Sequence, residues 1–174
     1  MELLERFAQG DMEAFEALFR EFQREVYGWV VRIVRDQAAA EDLTVEAFLR
    51  AYRAHAQFNL RGNFGGWLRR IATNAALDHL KRRRRETPLD EDYPPAAAPG
   101  ENPGVQRERR ERIERAFGQL SPKLRVAARL ALVEGVAYRE IADALGVPET
   151  TVRVRVFRAT QQLRESLKDL GAEL

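Results

Sequence analysis

Cysteine is absent from the chain, which excludes a disulfide framework, thiolate metal ligation, zinc fingers and a cysteine nucleophile, and leaves any redox sensing to a partner. Histidine is nearly absent too. His55 and His79 stand in helical contexts without metal-ligand spacing and away from any nucleophile or carboxylate pair, so both read as helix-surface residues. No glycine-rich phosphate loop follows a strand, because no strand pattern occurs. Neither an enzyme nor a cofactor or metal site is expected. No apolar stretch approaches the roughly 18 to 20 residues that cross a bilayer, and the start MELLERFAQGDMEAF is amphipathic and acidic, unlike a secretory signal. A soluble cytoplasmic protein without membrane insertion is expected.

Proline is sparse except in one place. Residues 86–105, ETPLDEDYPPAAAPGENPGV, hold five of the seven prolines. Locked φ angles and missing amide donors break helices and central strands at that density, and small acidic residues offer little to bury, so the segment reads as a solvated linker. It divides the chain into units 1–85 and 106–174.

A net charge of +2 conceals a segregation of sign. Residues 1–60 carry −4, 61–85 carry +7 with Asp78 the single acid, 86–105 carry −5 and 106–174 carry +4. Two basic segments parted by an acidic one point to two places for a polyanion.

Apolar residues recur at three and four throughout both units, which predicts an all-α protein. Phe15, Leu18, Phe19, Phe22, Val26, Val30 and Ile33 make one long stripe after the Gly10-Asp11 stop and cap. Further helices are expected over about 38–56 and 64–85, then near 106–118, 122–134, 137–145 and 149–168. Between the second and third lies FNLRGNFGG, a loop with two exposed-looking aromatics.

Residues 136–167 carry the sharpest local pattern. Ile141, Ala142 and Leu145 form the inner face of a short helix, Gly146 supplies the positive φ of a tight turn, and Val147 plugs the junction. Pro148 starts a second helix whose Val152, Val156, Ala159 and Leu163 share a buried face. Thr150, Val154, Phe157, Arg158 and Gln161 fall opposite, with Arg153 and Arg155 on the flanks. A helix-turn-helix of this form presents guanidinium and short polar groups to the DNA major groove, where arginine forks match guanine N7 and O6.

At this point LSPKLRVAARLALVEGVAYREIADALGVPETTVRVRVFRA resembles region 4 of bacterial sigma factors, particularly the extracytoplasmic-function (ECF) group, which binds the promoter −35 element. The resemblance implies −35 recognition by Thr150, Thr151, Arg153, Val154, Phe157 and Arg158. The family typically has a small residue such as serine at the position of Val154; an apolar side chain there reaches a thymine methyl but forms no hydrogen bond.

In the first unit, AAAEDLTVEAFLRAYR resembles the sigma region 2 helix that docks on the clamp helices of the polymerase β′ subunit. Asp42 and Glu46 lie four apart with Leu49 beside them, an acidic and apolar stripe for a basic coiled-coil partner. The resemblance implies docking through Asp42, Val45, Glu46 and Leu49, with valine at position 45 where the family usually has glutamine. FNLRGNFGGWLRRIATNAALDHLKRRRR resembles the parts of region 2 that melt and read the −10 element. Aromatic and pocket residues in a basic groove capture unstacked bases, at roughly 1–3 kcal/mol per base. Asn59, Arg61, Asn63, Phe64, Trp67, Arg70, Asn74 and Asp78 are the implied −10 contacts, although Trp67 is also a natural core residue. Lys81, Arg82, Arg83 and Arg84 are expected on phosphates, which position the protein but do not specify sequence. Gly65-Gly66 departs from the family's larger residues before the tryptophan.

The resemblance implies two small helical domains, with core RNA polymerase (β′ clamp helices and β flap), double- and single-stranded promoter DNA and an anti-sigma factor as partners. The acidic linker would thread the positively charged RNA exit path. Such a protein works at the nucleoid, or is held at the membrane by an anti-sigma factor. Low DNA affinity of the free chain would follow from packing of the units on each other or on that partner. The competing reading is a free-standing helix-turn-helix regulator that acts without core polymerase. It accounts for the second unit and leaves the basic segment and base-receiving loop of the first unexplained.

Overall fold

The computed structural model describes residues 2–86 and 103–168. Most of the segment read as a linker, 87–102, lies outside the described residues. Every regular element among the described residues is helical.

Helix α1 (Glu2–Ala8) ends at Gly10, whose φ of +84° turns the chain. Asp11 then caps α2 (Met12–Val34), its carboxylate accepting from the amides of Glu13 and Ala14. Helix α2 stops where Arg35 adopts a left-handed φ of 59° and its N–H reaches the Val31 carbonyl at 2.8 Å. The next residue, Asp36, caps α3 (Gln37–Arg53) by accepting from the Ala39 amide. The expected continuation of α3 to about 56 is corrected. The helix closes at Arg53 and a 3-10 turn, His55–Gln57, follows, leading into buried Phe58. Helix α4 (Phe64–Glu86) completes a bundle with α2 and α3, and its first turn is capped by the Asn63 side chain, which accepts from the Gly66 amide at 3.0 Å.

The second half begins with α5 (Pro103–Gln119), whose opening proline lies inside the stretch read as linker; φ locked near the helical value suits the first turn. Ser121 caps α6 (Pro122–Ala128). The single helix expected over 122–134 is corrected in its last turn. Residues Arg129–Val133 widen into a π-turn, with the Glu134 amide reaching back to the Arg129 carbonyl at 3.1 Å. Such turns insert one residue into a helix and re-aim side chains. Here Arg129 and Leu130 go inward while Leu132 and Val133 stay exposed. Helix α7 (Tyr138–Leu145), Gly146 at φ +64° and α8 (Glu149–Ser166) complete the helix-turn-helix.

The buried side chains of α2, α3 and α4 form one cluster with Val126, Ala127, Leu130, Ile141, Ala142, Ala144, Val152 and Val156 from the second half. Helices α6 and α7 pack directly on α4. Each large aliphatic side chain so buried contributes about 1.5–3 kcal/mol. A smaller cluster, Ala116, Phe117, Leu120, Ala128, Ala159, Leu163 and Leu167, joins α5 to α8. Beside it the buried Arg129 guanidinium pairs with both carboxylate oxygens of Glu114, at 3.2 and 2.8 Å, and stacks on Phe117. No described helix is long and apolar enough to cross a membrane.

Candidate nucleic-acid interface

Helix α8 buries Val152, Val156, Ala159 and Leu163. Its outward side carries Thr150, Arg153, Val154, Phe157 and Arg158, all exposed, while Thr151 and Arg155 are half-buried. Val154 is 48% and Phe157 64% exposed, although both are large and apolar. Arg153 reaches back to Glu149 at 2.6 Å and stacks over Tyr138 of α7, ring centroid 5.4 Å away, so one of the expected base readers is held at the flank by its own module. The turn between the helices is built as the sequence requires. Gly146 takes the left-handed conformation and the Val147 amide closes on the Ala142 carbonyl at 3.1 Å.

On α3 the sequence-predicted docking residues share an open face. Val45 and Leu49 are 50% and 46% exposed, Asp42 is exposed and Glu46 half-buried. Glu46 is not free: the Arg50 guanidinium donates to it and, at 3.0 Å, to Asp78 of α4. Burial works against the charge on Arg50, but the hydrogen bonds to Asp78 and Glu46 outweigh it and hold its pKa above the ordinary value. Asp78, expected on the DNA side of α4, is therefore turned toward α3.

The loop before α4 is braced from within. Asn59 accepts from the Arg61 amide at 3.0 Å and its carbonyl receives the Gly62 amide at 2.7 Å. Asn59, Arg61 and Asn63 are exposed at its rim. The expectation of two exposed aromatics is corrected: Phe58 and Phe64 are 6% and 5% exposed. Phe64 meets Phe7, Phe22, Phe58 and Trp67 at centroid separations of 5.3 to 5.8 Å. The small helix α1 supplies Phe7 and so closes this cluster over both rings. Phe64 is thus a floor under the loop, not a ring offered to a base in this conformation. Trp67 is half-buried on the same cluster. Gly65 lets α4 approach Phe22, which would lie 3.1 Å from a Cβ at that position. His55 is likewise not a plain surface residue, since its Nδ1 hydrogen-bonds the Ala8 carbonyl at 2.9 Å.

Along α4, Arg70 and Asn74 are exposed, and Lys81, Arg82 and Arg84 continue outward at its end; Arg83 turns to Asp36 at 3.3 Å. Sequence reasoning missed Arg69. Its guanidinium lies 4.8 Å over the Trp29 ring and donates to Glu25 of α2 and Glu140 of α7, each at 2.6 Å. The Trp29 indole N–H donates to the Thr73 hydroxyl, which donates to the Arg69 carbonyl. The neighbouring Arg70 rests on Gly146 of the helix-turn-helix, in the space a side chain there would occupy. Between these contacts lies a cleft of about 530 Å³, lined by Asn63, Gly65, Gly66 and Arg69 on one side and Glu140 and Asp143 on the other. In this arrangement carboxylates of α7 face the basic start of α4, where a phosphate backbone would also be favoured. The one available signal was the acidic pair Glu140 and Asp143 on a helix otherwise expected to serve DNA.

Comparison with known proteins finds relatives along nearly the whole chain. Residues 18–86 match Sigma-70 region 2, and residues 110–163 match Sigma-70, region 4. The chain is 36% identical over 185 residues to the RNA polymerase sigma-H factor of Pseudomonas aeruginosa, covering 99% of this chain and 95% of that protein. It is 38% identical to the ECF RNA polymerase sigma factor SigE of Mycolicibacterium smegmatis, over 95% of this chain and 66% of that one. Among solved structures, the sigma factor RpoE in complex with the anti-sigma factor NepR, from Bartonella quintana, aligns with a TM-score of 0.58 at 22% identity over 88% of this chain and 96% of that one, a likeness of fold. With both halves of its helical architecture and nearly its whole length accounted for in this way, the chain belongs to the sigma-70 family of RNA polymerase sigma factors, in the ECF group.

Proposed function

We propose that this sigma factor directs core RNA polymerase to promoters by dividing recognition between two units, residues 1–85 and 106–174, joined by the acidic segment 86–105. The observation that carries the reading is the pairing of an exposed acidic and apolar face on α3 with an exposed basic face on α8. Asp42, Val45, Glu46 and Leu49 dock on the β′ clamp helices, and the second half docks on the β flap. Asn59, Arg61, Asn63, Arg70 and Asn74 then face the −10 element, with Phe64 and Trp67 supporting the loop and Lys81, Arg82 and Arg84 on phosphates. Thr150, Val154, Phe157 and Arg158 enter the −35 major groove. Melting follows because everted bases gain contacts with the loop that the duplex lacks, while polymerase holds both bodies at fixed separation.

The packing of α6 and α7 on α4 is the closed form of the free chain. Arg69, Arg70, Glu140 and Gly146 would part when polymerase engages both halves, and polymerase supplies the differential binding energy for that step. An anti-sigma factor, as in the Bartonella complex, would favour the closed form. Sigma factors in general are not enzymes, and this chain acts in the cytoplasm on the nucleoid, free or held by a membrane-bound anti-sigma partner.

Run-off transcription with core polymerase on a randomised promoter library tests the proposal. Enriched −35 and −10 elements that require the chain are the expected result. Footprints on promoter DNA by the chain alone, unaltered by core enzyme, would instead establish the free-standing regulator.

A further inference from the structure

Helix α8 satisfies its packing with Val152, Val156, Ala159 and Leu163, yet it places two more apolar side chains, Val154 and Phe157, in solvent. At 100° per residue they stand about 60° apart on one side of the helix, in line with Thr150, Arg158 and Gln161. Folding does not explain them. An exposed β-branched residue is a mediocre helix former, and an exposed phenylalanine adds nothing to solubility. Their setting decides what they are for. Arg153 and Arg158 are exposed around them and Arg155 lies half-buried beside them, while Glu149, the carboxylate at the start of the helix, is engaged by Arg153 at 2.6 Å. A surface of this sign attracts a polyanion and disfavours an apolar protein face lacking compensating acids. Within the major groove the apolar group available for readout is the C5-methyl of thymine.

We propose that Val154, flanked by Phe157, is a specificity determinant that selects thymine in the −35 duplex through its C5-methyl group. The proposal rests on the reading of α8 as the −35 helix. Valine offers two γ-methyls and no hydrogen-bonding atom, so it senses the methyl itself and is indifferent to the donor and acceptor edge. Uracil, which differs from thymine in lacking that methyl, isolates the contact. Losing one buried methyl corresponds to about a fourfold loss of affinity.

The experiment uses holoenzyme assembled from core polymerase and the full-length chain. A −35 element is selected from a randomised duplex upstream of a fixed −10 sequence, and each thymine in it is then replaced singly by uracil. The expected result is that uracil at one or two positions weakens binding about fourfold for the unmodified chain. In V154A, which removes both γ-methyls while improving helix propensity, thymine and uracil should bind equally at one of those positions. V154S, which restores a hydroxyl, should shift the selected base there. Equal binding of thymine and uracil throughout, or a uracil penalty that survives at every position in V154A, overturns the proposal while leaving −35 recognition by α8 standing. Formation of holoenzyme with no −35 sequence enriched overturns both.

Discussion

The guanidinium of Arg70 occupies the space above Gly146 into which any side chain at that position would project. One residue comes from the helix expected to face the −10 element and the other from the turn of the helix-turn-helix, so each of the two nucleic-acid modules covers part of the other. Gly146 therefore answers to a φ of +64° that disfavours side chains, and to the Arg70 guanidinium, which would have to swing aside for one.

Those constraints separate in a double-mutant cycle. G146A should destabilise the free chain by about 1–3 kcal/mol through left-handed strain and collision with Arg70. In an R70A background the steric part vanishes, so the cost of G146A read from urea unfolding midpoints should be smaller there by about 0.5 kcal/mol. Strictly additive effects would mean that Arg70 does not press on the turn.

Charge reversal at Glu140 acts on the same interface from the other side. E140K replaces the acceptor of Arg69 with a like charge, and a partly exposed pair of this kind is worth about 1 kcal/mol or less. The shared buried core keeps the mean size of the free chain unchanged, but the minor parted population, and with it the affinity for single-stranded −10 DNA, should rise several-fold, most clearly at low salt. Fluorescence anisotropy measures the change; unchanged binding argues against the closed form.

Stability of the second half should depend sharply on Glu114. Removing it in E114A strands the buried Arg129 guanidinium without its carboxylate, at a cost of about 3 kcal/mol. For a chain of this size that is a fall in Tm of roughly 6–12 °C. The double variant E114A/R129M, which removes the stranded charge, should recover much of the loss in the same thermal scan.

The cap of α2 confers an acid-side pH dependence. A hydrogen bond from the Arg6 guanidinium, then one from the Ala14 amide, holds the Asp11 carboxyl below its usual value. The folded pKa is depressed, so the stabilisation is present above the unfolded value of about 3.9 and is lost as pH falls through the lower folded value. D11N retains a cap but cannot titrate. Its urea midpoint should fall less than that of the unmodified chain between about pH 4 and pH 2.

Much of this was legible in the residues. The helix-turn-helix was readable because Gly146, Pro148 and the 4-3-4 spacing of α8 are local signals that tertiary packing did not override. The acidic stripe of α3 was readable because i, i+4 spacing alone places Asp42 and Glu46 together. Phe58 and Phe64 misled because a glycine-rich loop resembles an exposed one. Their burial depends on Phe7, contributed by a seven-residue helix about fifty positions away. The π-turn at Arg129–Val133 has no periodic signature, and it coincides with the inward turn of Arg129 toward Glu114, a contact fifteen positions away. Arg69 and Arg70 looked alike in a basic run; only long-range contacts distinguish the one that bridges three helices from the one that covers a glycine.

The stacking of Arg69 on Trp29 gives the protein a built-in optical probe. An indole whose N–H is fixed by Thr73 and whose face is covered by a cation changes its emission when that cation departs. Because Arg69 and Trp29 both belong to the first half and Glu25 holds the cation there, that emission, read in a W67F chain, reports the seam between α2 and α4 and should survive withdrawal of Glu140 alone.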